Sequence, residues 1–183
     1  MKIKPIVLMT LLSFPLILNA QDRKPVQLSD VQINLNLLAP GVTLEKMLSD
    51  NTSATFGLGL TPLYTDTGNE DSIEPEVAIN PFLRASYRNY YPRKKVKKEL
   101  NPNSGNYIGL VTGYYFDSIA ESSETATFRQ SDSFYLGAMW GIQRNYKSGI
   151  HLGFSIGGGF GTGQNMDLDY VGVGEFEFGF VIK

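Results

Sequence analysis

From Val31 to the C-terminus the chain repeats one pattern, in which every second residue is apolar and the residues between are small or polar. The clearest copy is Phe134, Leu136, Ala138, Trp140 and Ile142, interleaved with Tyr135, Gly137, Met139, Gly141 and Gln143. Successive side chains of a strand point to opposite faces, so each segment carries one apolar and one largely polar face. Two folds satisfy that pattern. In a soluble sandwich or lipocalin-like barrel the apolar face is the core. In a membrane barrel it meets lipid, and the polar face lines the interior.

The alternation predicts eight strands, near 31–37, 42–48, 54–61, 76–88, 108–116, 134–143, 150–157 and 175–182, and no helical period outside the N-terminus. Pro40-Gly41 makes a tight turn between the first two. Reading 31–48 as one bent strand would leave seven, and closure favours the even count. Pro81 has no N–H to donate, so a bulge or ladder defect is expected there. Short turns at 49–52 and 145–148 fall opposite longer loops at 65–74, 118–131 and 161–169, the asymmetry of outer-membrane barrels. The turn at Pro40 and the long basic connection at 92–104 depart from it.

The first twenty residues read as a secretory signal peptide: Lys2 and Lys4, an apolar run from Ile6 to Leu18, and cleavage after Ala20. The run is short for a membrane anchor. Residues 21–183 then form one domain, with 21–29 as a loose periplasmic lead-in. The chain has no Cys, which excludes disulfides and a lipoprotein anchor. Its net charge is −2 and becomes more negative once Lys2 and Lys4 are removed, which argues against a nucleic-acid partner.

Between the two barrels, the faces decide. The polar face is rich in Gly and poor in bulk, as the narrow interior of an eight-stranded barrel requires. The other face carries Phe, Trp, Leu and Ile with almost no charge, which a soluble exterior would not tolerate. Tyr64, Tyr87, Tyr91, Phe134, Tyr170 and Phe176 are expected near strand ends, as an interfacial girdle. The fold expected is therefore an all-β, eight-stranded antiparallel up-and-down transmembrane barrel.

Several stretches carry a likeness to known proteins: Asn34-Leu35-Asn36-Leu37-Leu38, Pro40-Gly41-Val42-Thr43-Leu44-Glu45, Leu48-Ser49, Gly57-Leu58-Gly59, Ile79-Asn80-Pro81-Phe82-Leu83-Arg84 running into Tyr90-Tyr91, and Gly137 to Lys147. Together they resemble a family of small outer-membrane β-barrel proteins of Bacteroidetes-type bacteria. The resemblance implies a fold and an outer-membrane location, and no activity. Such barrels end in an aromatic residue, whereas this chain ends Val181-Ile182-Lys183.

The ionisable residues on the polar face are Glu45, Glu76, Arg84, Arg88, His151, Glu175 and Glu177. Buried charges must pair, so Arg84 and Arg88 are each expected within salt-bridge reach of Glu45, Glu175 or Glu177, forming a structural plug. A catalytic reading takes Ser155 as nucleophile, His151 as base and Glu175 as orienter of a lipid hydrolase. However, Ser155 and His151 are four positions apart on one strand, roughly 13 Å, too far for a hydrogen bond. Asn165, Asp167 and Asp169, or Asp66, Glu70 and Asp71, supply oxygen ligands without a calcium-loop pattern, so no metal is assigned. The basic run from Arg93 to Lys98 suits a solvated turn or anionic headgroups. Gly157-Gly158-Gly159 opens no helix and is no phosphate cradle.

The functional expectation is a non-enzymatic outer-membrane barrel with a plugged interior and no cofactor. It would act in envelope structure or bind a protein or surface glycan through its loops, with membrane lipid around it. The alternatives are an outer-membrane lipid-modifying hydrolase, and a narrow pore or small-ligand carrier.

Overall fold

The computed structural model describes residues 26–65, 76–91, 100–121, 133–162 and 168–182. Alternating segments form β1 (Val31–Asn36), β2 (Gly41–Ser49), β3 (Thr52–Thr65), β4 (Glu76–Tyr91), β5 (Gly105–Tyr115), β6 (Ala120–Glu121), β7 (Ser133–Asn145), β8 (Ile150–Thr162) and β9 (Leu168–Val181). Eight of them pair antiparallel in chain order, and β1 meets β9 to close the ring. The chain turns between β1 and β2, so the hairpin reading of Pro40 holds. The unexpected two-residue β6 only extends the ladder of β4. The expected leader at 1–20, the loop residues Asp66, Glu70, Asp71, Asn165 and Asp167, and the basic run at 93–98 lie outside the described residues.

The ring is apolar outside and polar inside. Leu136 is 54% exposed, Ile108 60% and Phe160 58%, whereas Gln32, Asn34, Glu45, Arg88, Gln143, Asn145 and His151 are no more than 2% exposed. A closed sheet of this size leaves an interior only wide enough for side chains. Glycine makes room for the largest of them. Tyr107 faces Gly141 across the β5–β7 ladder and Tyr135 faces Gly113. A Cβ added at either glycine would fall inside the tyrosine ring.

Pro81 disturbs its ladder as expected. Pairing of β4 with β3 is continuous, but β5 stops at Phe82 and β6 resumes at Ile79, so the missing donor falls in the gap. There the Phe116 N–H donates to the Pro81 carbonyl and the Asn80 amide to the Phe116 carbonyl.

Three expectations need correction. Strands β8 and β9 run through the Gly-rich stretch, with Gly158 opposite Gly172 and Gly159 opposite Val171, so β9 starts at Leu168 and not near 175. Glycine hides a strand from pattern reading because it lacks a side chain. Here it is required, since a Cβ at Gly157 or Gly159 would strike the carbonyl of Ala138 or Leu136 on β7. As a result Phe176 sits at mid-strand and is no girdle residue. The lead-in is also not loose: Asn103 donates its N–H to the Gln27 carbonyl, and its Oδ1 accepts from the Ser29 N–H. Val26 and Leu28 then pack against an interior cluster of Tyr90, Tyr107, Val111, Tyr135 and Met139.

The up-and-down order sorts the connections. The lead-in from Val26, the turns at 50–51 and 146–149, residues 100–104 and the end of β9 lie at one end, the turn end. The turn at 37–40 and the strand ends at Thr65, Glu76, Tyr115, Ser133, Thr162 and Leu168 lie at the other, the loop end.

Candidate functional site

The interior polar residues form layers along the barrel axis. Nearest the loop end, Arg84 on β4 pairs with Glu175 on β9, each side chain 15% exposed. The Arg84 Nε–H donates to the Tyr135 hydroxyl at 2.9 Å, and the guanidinium lies 5.1 Å from the Phe82 ring centroid. Tyr135 in turn stacks on Tyr115 at 5.8 Å. Arg84 thus meets one of the three carboxylates expected within its reach.

The next layer differs from expectation. Arg88 makes no salt bridge with Glu45, Glu175 or Glu177. Instead its NH1 donates to Gln143 Oε1 at 2.6 Å, and Gln143 Nε2 donates to Glu45 Oε2 at 2.8 Å. The amide therefore links cation to carboxylate. Glu45 Oε1 also accepts from Ser53 at 2.6 Å and from the Tyr90 hydroxyl at 2.7 Å. The guanidinium lies 4.7 Å from the Tyr107 centroid.

The layer nearest the turn end is centred on His151. Asn145 Nδ2 donates to Gln32 Oε1 at 2.9 Å and to the Pro102 carbonyl at 2.7 Å, which orients the amide. Its oxygen must then face His151 Nδ1, 2.7 Å away, so Nδ1 carries a proton. Nε2 meets Glu177 Oε2 at 3.3 Å. The interior thus gathers the carboxylates of Glu45, Glu175 and Glu177 around Arg84, Arg88 and His151.

Both ring nitrogens of His151 are thus engaged away from Ser155, and Glu175 is held by Arg84, so the Ser155–His151–Glu175 arrangement is not assembled. The side chain of Glu76 lies outside the described residues. Asp169 is exposed at the start of β9. The linking residues Gln143, Tyr90, Ser53, Asn145 and Gln32 escaped a reading aimed at charge. Their signal was their place on the polar face of the alternation.

Above Arg84–Glu175 the interior widens into a cavity of about 380 Å³ at the loop end. Tyr115, Tyr135, Val171 and Val173 line its wall, and Ser133, Thr162 and Asp169 lie toward its rim. The barrel is therefore a cup above a filled base. No family model, curated protein or solved structure matches the chain.

Proposed function

We propose that this protein is an integral outer-membrane barrel without enzymatic activity, exported by a cleaved leader, whose polar interior is a structural plug. The observation that carries the reading is the inverted polarity: large apolar side chains outside every ring strand, and a buried, hydrogen-bonded polar network within. In water that exterior would be an association surface far beyond an ordinary patch. In hydrocarbon it is the required surface, and the closed ladder satisfies the backbone. The likeness to small Bacteroidetes-type barrels supports the same location.

Below Arg84 and Glu175 the lumen is packed, so the protein serves the envelope structurally or through a partner held at its loop end. Membrane fractionation combined with heat-modifiability tests this reading. The expected result is an outer-membrane protein whose unboiled form migrates differently from its boiled form. A soluble, heat-unmodified periplasmic species would refute it.

A further inference from the structure

The barrel wall is uneven. Strand β1 has six residues and β2 nine, against fourteen in both β3 and β9. The β1–β9 ladder reaches only Asn36↔Gly179, with one more bond from the Leu37 N–H to the Phe178 carbonyl. The β2–β3 ladder ends at Gly41↔Gly59, with one more bond from the Leu60 N–H to the Pro40 carbonyl. Above the hairpin tip, β9 from Leu168 to Phe176 and β3 from Pro62 to Thr65 have no strand partner on their facing sides among the described residues. Two strands are missing between them, so at standard strand spacing the notch is about 14 Å wide.

At the height of this notch the outer wall is apolar, with Tyr170 and Phe160 paired across β9 and β8 and 75% and 58% exposed. The tip that forms its sill carries Leu37 and Leu38, 46% and 55% exposed, where an aqueous turn would be polar. The cavity lies directly behind the β9 side of the notch, and Gly172 and Gly174 form part of its wall. A Cβ at Gly172 would meet nothing within 4 Å. Since the Phe178 carbonyl points toward β1, ladder alternation turns the N–H groups of Tyr170, Gly172, Gly174 and Phe176 the same way, into the notch. On the opposite side stands Pro62, a residue suited to an open edge because it has no N–H to present.

We propose that the notch admits the hydrocarbon chain of an acyl amphiphile from the surrounding lipid into the cavity, with the oxygens of its head accepting from the β9 N–H groups that have no strand partner among the described residues. The proposal rests on the membrane reading above. The chemistry matches: an apolar wall from Val171, Val173 and Tyr115, beside it a row of donors with no strand partner among the described residues, and an opening at lipid level. The volume of about 380 Å³ falls in the usual range for ligand sites. An added protein strand fits less well, because one strand cannot span a gap two strands wide and Pro62 interrupts the donor row of β3.

The test uses the full mature chain in phospholipid vesicles brominated along the acyl chain, a short-range quencher of tryptophan. Trp140, the single Trp, faces outward. Val173→Trp in a Trp140→Phe background places the reporter in the cavity, and Val171→Trp is a second probe should the first fail to fold. Val111→Trp, in the packed interior, controls for quenching through the wall. The expected result is a loss of fluorescence at position 173 or 171 equal to that of Trp140, with position 111 unaffected. Repeating it with brominated free fatty acid in unlabelled vesicles tells a bilayer lipid from a free acid. If Trp140 is quenched while 171 and 173 behave like 111, the proposal falls and the membrane reading stands. If Trp140 itself is not quenched, both fall. Emission at 173 that ignores bromine but changes with protein density would assign the notch to a second copy of the chain, and overturn the proposal.

Discussion

Replacing Glu45 with Gln tests the interior network with almost no change of shape. In the wild type Oε1 accepts from Ser53 and Tyr90, and Oε2 accepts from Gln143, whose own oxygen holds Arg88. An amide at position 45 keeps one oxygen only. If that oxygen stays with Ser53 and Tyr90, its NH2 faces the NH2 of Gln143. If Gln143 turns over to offer its oxygen, its own NH2 then confronts Arg88. A third arrangement turns the new oxygen to Gln143 and the new NH2 to the Ser53 and Tyr90 hydroxyls, which accept it but lose the carboxylate their own protons met. Each arrangement leaves at least one buried donor unmatched, costing about 1–3 kcal/mol. Arg88 also loses the carboxylate that its buried charge requires, and breaking a buried pair costs about 3–5 kcal/mol. The two costs share the same groups and overlap, so Glu45→Gln should destabilise by about 3–5 kcal/mol. Arg88→Met should cost a similar amount. In the double variant Gln143 can give its oxygen to the new amide at position 45 with no cation behind it, so the two effects should couple by about 2–3 kcal/mol. Urea unfolding of the refolded barrel in detergent micelles, followed by Trp140 emission, measures all three. A cost below about 1 kcal/mol for Glu45→Gln, or a strictly additive double variant, would refute the linkage through Gln143.

Other outcomes follow from the same geometry. Leu136→Arg and Phe154→Arg put a charge on the outer face and should cost about 2–4 kcal/mol in folding into vesicles, with normal folding after either change counting against a lipid-facing wall. Gly141→Ala should cost about 1–3 kcal/mol because the new methyl enters the Tyr107 ring, and Tyr107→Leu should recover much of it in the same urea assay. Arg84→Ala strands Glu175 and should lower stability by about 3–5 kcal/mol, whereas Arg84→Met with Glu175→Gln should be far milder. In planar bilayers the protein should give no conductance of porin size, and large steady channels would mean that the layers around Arg88 and His151 do not fill the lumen.

The alternation alone determined most of the wall. A period of two assigns every residue of a strand to one face, so Leu136, Trp140 and Phe154 were legible as outer and Tyr135, Gln143, Ser155 and Glu177 as inner. The β1–β2 hairpin and the irregular ladder at Pro81 were legible for the same local reason, since proline and glycine act on their own backbone. Where side chains are missing the pattern falls silent, so the upper halves of β8 and β9 read as loop although Gly157 and Gly159 are held there by close backbone approach. Partner choice across the lumen was not legible. Arg84 and Arg88 lie on the same face of β4, yet one meets Glu175 directly and the other reaches Glu45 only through Gln143. Which groups meet inside a barrel depends on strand stagger and on how far each side chain spans the lumen, quantities that exist only once the ring has closed. The notch above the β1–β2 hairpin has the same origin, since a short strand becomes an opening only when its neighbours are taller.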